Sequence, residues 1–427
     1  MSATLGQPGS RQASDEADTT AGLRAAALRF TGLLGRPLAS YYLVLGCSLL
    51  LLGLGLMMVL STSTAYDLDQ GLPAYSMFEK QLLGAAGGLL LMWLAAKAPP
   101  RLFRAFAYPL VLASVVGLIA VLLFGVEVDG AKRWLVVAGF QVQPSELAKL
   151  ALVLWGADLL ARKEKLGHFA DWRHLLVPLL PGTAIFCILV MLGDDLGTTF
   201  LLLVIFLALL WVIGTPGRLL AGMVGLMGFV MLMLIVVHPY ELQRITGFLA
   251  AQKASCRSDA CYQLIQGKYA LGSGGLFGVG SGASKAKWGW VPNSQSDFIF
   301  AILGEELGLV GTLCVITLYG GLAYAGLRIA RRVQDTFSRL AAGAITIWLI
   351  AQALVNIGAV LGVLPITGVP LPLMSAGLSS LLATMAALGI LMSFARSEPG
   401  ARQALAAAGP GIARRLLHWP GLRRRPP

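Results

Sequence analysis

The stretch NSQSDFIFAILGEELG (293–308) sets three carboxylates, Asp297, Glu305 and Glu306, at the start of an apolar run that reads as a helix. Charge inside a bilayer is costly and tends to mark function. A free Asp has a pKa of about 3.9, so Asp297 is charged at neutral pH and able to take up a proton. The competing reading is structural. Ser294 and Ser296 are N-cap candidates, and Ser294-x-x-Asp297 resembles a capping box with Asp in place of Glu. Glu305 lies about 12 Å deeper and some 80° round a regular helix, beyond the reach of a cap. Glu306 falls nearly opposite Asp297, so the two acids face different surroundings. One is expected to bind a partner helix and the other to structure a loop.

Four further stretches carry polar groups in apolar company. In GAKRWLVVAGFQVQPSELAKL (130–150), Lys132 and Arg133 precede a span that Pro144 opens. Glu146 then lies in the first turn, where the helix dipole favours an anion. Lys149 is three residues on, close enough to pair with it. A capping glutamate and a snorkelling lysine are the plain alternative. In LGDDLGTT (192–199), Asp194 and Asp195 occupy a turn and could bind a cation or cap the next helix. The run YALGSGGLFGVGSGASKAKWGWVPNSQSDF (269–298) is glycine-rich and holds Lys285, Lys287, Trp288 and Trp290. Amides and lysines suit phosphate, and tryptophans suit an interface or a sugar face. In NIGAVLGVLPITGVPLPLMSAGLSSLL (356–382), Pro365, Pro370 and Pro372 break the helix, and Ser375, Ser379 and Ser380 offer hydroxyls. Non-helical backbone at membrane depth survives only against protein or a watery cavity.

These residues need a frame. The chain is 57% hydrophobic and 13% charged, about half the charge of a soluble domain. Continuous apolar runs predict an all-α integral membrane protein with ten transmembrane helices. They lie near 41–61, 80–97, 105–125, 144–161, 175–192, 198–213, 218–237, 298–326, 339–361 and 377–395. The fifth and sixth are short and could form a hairpin that only partly crosses. With the N-terminus inside, 23 of the 33 Lys and Arg residues fall on the inner side. The positive-inside rule therefore makes both termini cytoplasmic. It places a large outer loop, 238–297, between helices 7 and 8. The net charge of +12 belongs to short loops between spans, which argues against nucleic acid.

Three parts follow: a disordered tail (1–40) with no cleavable signal peptide, a membrane domain (41–395) and a basic cytoplasmic tail (396–427) suited to anionic lipid. Cys47, Cys187 and Cys314 lie in spans as packing residues. Cys256 and Cys261 share the outer loop, where they either close a disulfide or remain free thiols.

Taken in order, GAKRWL…QPSELAKL, DDLGTT, GSGGLFGVGSG…WGWVPNSQSDFIFAILGEELGLVG and NIGAVLGVLPITGVPLPLMSAGLSSLL resemble the SEDS family (shape, elongation, division and sporulation). The resemblance spans about residues 41–395, and QSDFIFAILGEELG is closer to its division branch than to its elongation branch. Two positions depart from the family pattern: Gly193-Asp194 stands for Gln-Pro, and Leu378 for the second Gly of Gly-Gly-Ser-Ser.

The resemblance implies a ten-helix glycosyltransferase of the bacterial cytoplasmic membrane, working at the division septum. It would polymerise lipid II, an undecaprenyl-pyrophosphoryl disaccharide peptide, on the outer face. Its implied partners are a class B penicillin-binding protein transpeptidase, other division proteins and membrane lipid. Asp297 is then the candidate base. Lys132, Arg133 and Lys149, with Lys285 or Lys287, are candidates for the pyrophosphate. Glu146, Glu305, Ser379 and Ser380 would line or brace the cavity. No ligand set demands a metal, although a divalent cation such as Mg or Mn could assist the leaving group. A lipid II flippase and a non-catalytic division scaffold are the alternatives from other classes.

Overall fold

A computed structural model describes residues 38–128, 131–137, 139–165, 176–252 and 259–401. Among them are twelve helices and three strands. The helices are α1 Ala39–Asp69, α2 Ser76–Lys97, α3 Pro100–Phe124, α4 Pro144–Lys165, α5 Leu179–Met191 and α6 Leu196–Ile213. They continue with α7 Gly217–Val237, α8 Pro239–Gln252, α9 Asp259–Ser273, α10 Ile299–Arg332, α11 Thr336–Val360 and α12 Leu378–Ala395.

Each expected span falls on a helix. Seven helices, α1, α3, α6, α7, α10, α11 and α12, are long and apolar enough to cross a membrane. The chain is thus a multi-pass helical membrane protein. Helix α5 has 13 residues, about 20 Å, against roughly 30 Å of hydrocarbon. Most of α4, α11 and α12 is buried, as are the first turns of α10. Helix α7 buries no residue and lies at the periphery.

Small residues set the closest packing, as they do between membrane helices generally. A Cβ on Gly84 or Gly88 of α2 would lie 2.4 Å from Leu378 Cδ1 or Met385 Sδ of α12. Opposite them, a Cβ on Gly389 would come 2.5 Å from the Met92 carbonyl.

Two features add to the sequence reading. The 126–142 connection is a three-stranded antiparallel sheet: β1 Val126–Val128, β2 Ala131–Val137 and β3 Phe140–Val142. Strand β2 pairs Leu135 with Val142 and Val137 with Phe140. Its β-branched and aromatic residues favour that form. The segment 238–297, read as one large loop, also holds helices α8 and α9. Of the expected tails, residues 1–37 and 402–427 lie outside the described residues, whereas Ala39 and Ser40 already belong to α1.

Helix α10 bends at Gly308, whose φ of 66° and ψ of −162° interrupt the helical run. Only glycine readily takes that conformation. A Cβ there would sit 2.4 Å from Gly278 N and 2.6 Å from Leu276 O, so the bend seats the glycine-rich loop. Gly308→Ala is expected to cost at least about 1–3 kcal/mol. A lower melting temperature and folded yield in detergent would register it; an unchanged melt would contradict it.

Candidate active site

Asp297 sits between the glycine-rich loop and α10. The turn before it is closed by Ser296 N and Phe298 N, which donate to Asn293 O at 3.1 and 3.2 Å. Asn293 holds this turn with φ 54°. Helix α10 is capped at Phe298, and the cap makes no side-chain hydrogen bond. Ser294 and Ser296 donate instead to Gln295 Oε1 and Asn293 O. Neither serine is the N-cap that the sequence suggested.

The backbone of this stretch is held from α11 and from the proline-rich segment after it. Asn356 Nδ2 donates to Asp297 O at 2.9 Å and to Val369 O at 2.8 Å. Ser375 Oγ donates to Ser296 O at 2.6 Å, and Ala376 N to Gln295 O at 2.9 Å. The chain around Asp297 is therefore fixed at three successive carbonyls, those of Gln295, Ser296 and Asp297.

Three charged side chains converge on Gly368. A Cβ added there would lie 3.4 Å from Arg244 Nη2, 3.5 Å from Arg133 Nη1 and 3.6 Å from Asp297 Oδ2. Gly368 has φ 68° and no side chain to fill this space. Each guanidinium is aimed by acids behind it. Arg133 Nη2 donates to Asp194 O at 2.6 Å, and its Nη1 lies 3.9 Å from Asp195 Oδ1. Arg244 Nη1 lies 3.6 Å from Glu241 Oε1. Asp195 is itself fixed, capping α6 through Thr198 and accepting from Gln143 Nε2 at 3.1 Å. His238 Nε2 lies 3.7 Å from Asp194 Oδ1.

Glu241, on α8 outside the spans, has its pKa raised. Burial is the main cause; Arg244 and Arg133 pull it down, while Asp195 and Asp194 push it up. Two guanidiniums and a carboxylate about one point can hold a phosphate-bearing group and take up a proton beside it.

The other expected site residues are spent elsewhere. Lys132 Nζ donates to Leu122 O at 2.7 Å and so closes the end of α3. Lys149 is fully buried; it bonds Glu146 Oε1 at 2.8 Å and Gln352 Oε1 at 3.0 Å, beside the Trp348 ring. Lys287 Nζ donates to Gly282 O at 2.6 Å and Ser61 Oγ at 2.8 Å, and faces Glu306 at 3.5 Å. Glu306 also accepts from Ser61 of α1. Glu305 accepts from Ser284 Oγ and from the Lys285 and Ala286 amides, tying the loop to α10. The Lys285 side chain is exposed.

Ser379 Oγ accepts from Gln143 N at 2.9 Å, so it braces β3 to α12. Ser380 is buried in the first turn of α12. Cys261 is disulfide-bonded, while Cys256 lies outside the described residues. Cys47, Cys187 and Cys314 are free. Among the described residues, no group of three or more His, Cys, Asp or Glu gathers to hold a metal ion.

Sequence reasoning missed Arg244, Glu241 and Asn356. The Glu-x-x-Arg spacing in PYELQRITG was the available signal, but it counts only once a helix is known to run there.

Fold and site define a multi-pass membrane protein with a cationic, carboxylate-bearing site at one end of its helix bundle. Residues 41–399 match the cell cycle protein family of FtsW, RodA and SpoVE, and the chain belongs to that family. It is 40% identical over 394 residues to the probable peptidoglycan glycosyltransferase FtsW of Mycobacterium tuberculosis, covering 92% of this chain and 74% of that one. Two solved structures are also similar. One, a chain of a peptidoglycan synthase complex that coordinates polymerization and crosslinking, shares 29% identity at a TM-score of 0.68, covering 83% of this chain and 97% of its own. The other, the rod shape determining protein RodA of Thermus thermophilus, shares 28% identity at a TM-score of 0.58, covering 86% and 99%.

Two outcomes follow from the charges. Lys149→Ala leaves Glu146 buried without its ion partner and should cost about 3–5 kcal/mol. The double change Glu146→Gln with Lys149→Met should recover much of that in thermal melts. Glu241 has a folded-state pKa above its ordinary 4.5, so its contribution is full below that value and is lost as pH rises through the folded pKa. The melting temperature of wild type relative to Glu241→Gln should therefore be flat below about pH 4.5 and fall above it. A difference independent of pH would refute this.

Proposed function

We propose that this protein is a peptidoglycan glycosyltransferase that polymerises lipid II into glycan strands. The observation that carries the reading is the convergence of Asp297, Arg133 and Arg244 on Gly368. Membership of the family and the glycosyltransferase relatives support it. Ten spans with both termini cytoplasmic would set this site on the outer face of the membrane.

In this mechanism the C4 hydroxyl of one lipid-linked disaccharide attacks the anomeric carbon of another. The new glycosidic bond forms as the bond to undecaprenyl pyrophosphate breaks. Asp297 takes the hydroxyl proton. Arg133 and Arg244 hold the pyrophosphate that leaves with the electron pair, and Arg can meet phosphate oxygens in pairs. Lys132, Lys149 and Lys287 shape the surrounding structure, and exposed Lys285 remains available at the rim.

An apolar cavity of about 270 Å³ supports the lipid part of this reading. Its lining includes Cys187, Met191, Thr199, Phe206, Met227 and Leu234 from α5, α6 and α7. Thr199 Oγ1 donates to Asp195 O, so the cavity starts beside the charged cluster. A polyprenyl tail fits this chemistry.

The partner is a class B penicillin-binding protein that crosslinks the strands. Similarity to a chain of a polymerizing and crosslinking synthase complex supports that pairing. Work at the septum would follow from the division branch, which the 40% identity to an FtsW supports.

The test is glycan synthesis from purified lipid II by the protein co-purified with its transpeptidase. Asp297→Asn should lose about 10²–10⁴ in rate while its melt stays near wild type. Equal synthesis by both would remove Asp297 from the chemistry. No synthesis by an intact wild-type complex would favour a flippase or scaffold instead.

A further inference from the structure

The end of the bundle away from Asp297 carries a second charged cavity. Helix α3 runs from Pro100 to Phe124, where it meets the sheet beside the site. Arg104 lies 20 residues before Phe124, about 30 Å along the axis. Helix α4 runs the other way, from Pro144 beside the site to Lys165. Between these distant ends lies a cavity of about 270 Å³, lined by Arg104, Ala105, Asp158, Ala161, Arg162 and Lys165.

One buried carboxylate organises this cavity. Asp158 is 2% exposed and presents an oxygen to each of two guanidiniums. Arg162 Nε binds Oδ2 at 2.8 Å, and Arg104 Nε lies 3.5 Å from Oδ1. Rings back both cations: Arg104 lies 4.8 Å from the Phe337 centroid and Arg162 5.5 Å from that of Tyr108. Arg104 Nη2 also lies 3.6 Å from Asp335 Oδ1, the N-cap of α11. The neighbouring charges point elsewhere: Lys163 donates to Val177 O, and Glu164 pairs with Arg339. Three cations, Arg104, Arg162 and Lys165, thus face two carboxylates, Asp158 and Asp335. One positive charge is left over, and it matches a phosphodiester.

We propose that this cavity binds the phosphate of an anionic membrane phospholipid. The surface beside it favours a lipid over a free anion. Arg104 begins a column along α3 that continues at four-residue intervals with Tyr108, Leu112 and Val116. These are 44%, 66% and 57% exposed on a membrane helix. A phosphate held by the guanidiniums would lay its acyl chains along that column. Basic pockets at helix ends are suited to such headgroups. The site is separate from Asp297 and does not depend on the reading of that site. Its role would be to anchor the α3–α4 pair to the lipid of that leaflet.

The test uses full-length protein, delipidated in detergent and titrated with phosphatidylglycerol or phosphatidylcholine, with retained lipid counted by native mass spectrometry. Wild type should bind phosphatidylglycerol in preference. The double variant Arg162→Ala with Lys165→Ala should bind it about 25-fold more weakly, roughly fivefold for each basic residue lost near a membrane surface. Arg218→Ala, exposed on α7, should bind like wild type. Millimolar inorganic phosphate should leave the lipid in place. Equal binding of the two lipids, or an unaltered double variant, overturns the proposal. Displacement by inorganic phosphate also overturns it, leaving an ion site. Should the double variant melt early, Lys165→Ala alone decides. Its side chain is exposed and stands outside the Asp158 pair, and binding equal to wild type would again overturn the proposal.

Discussion

Non-helical backbone inside an apolar bundle must find its hydrogen bonds in protein. One face of α11 supplies them. Gln352 donates to Pro370 O at 2.9 Å, and Asn356, one turn on, donates to both Val369 O and Asp297 O. The proline-rich segment can then leave helical geometry without stranding its carbonyls. Gln352 is held in turn, accepting from Lys149 and from Trp348 Nε1. The buried ion pair of α4 thus anchors the amide that anchors the loop. Lys149 serves the site through Gln352, without reaching it.

The charge cluster rests on this frame. Arg133 comes from strand β2, Arg244 from α8 and Asp297 from the approach to α10, three elements far apart in sequence. They meet at Gly368, whose φ of 68° is a backbone conformation that residues with side chains rarely adopt. Acids stand behind both arginines, and they do more than neutralise. Asp195 also caps α6, so the direction of Arg133 is tied to a rigid helix end. Glu241 sits where burial disfavours its charge, and the nearby guanidiniums oppose that burden.

How far this was legible from sequence depends on which signals are local. Hydropathy places a helix at each expected span, because apolar length is a property of one segment. Periodicity separated Glu305 from Glu306, since neighbours on a helix point about 100° apart. Glu305 ties the loop, and Glu306 reaches across to α1. Pairing is not local. Lys287 and Lys149 read as candidates for the pyrophosphate, yet Ser61 and Gln352, which bond them, lie over 200 residues away. Arg244 is hidden in the sequence for a related reason: the 60-residue segment 238–297 offers no spanning helix to place it on. The sheet at 126–142 was masked by its charged tip, where Lys132 and Arg133 drew attention as ligands and not as strand residues.

The two glutamates also bear on how a loss of activity at Asp297 should be read. Glu305 and Glu306 are consecutive, yet they secure opposite sides of one unit. The first binds the loop at 284–286; the second binds Lys287 of the same loop together with Ser61 of α1. Gly308 lies just beyond them and bends α10 around that loop. Loss of either acid frees the loop that leads into Asp297, and so would lower activity without touching a reacting atom. Asp297 differs in one respect. Asn356 holds its backbone carbonyl, a group that every residue carries, so a change of side chain leaves that bond in place. Substitution at Asp297 removes the carboxylate that meets Arg133 and Arg244 at Gly368, whereas substitution at Glu305 or Glu306 releases the loop.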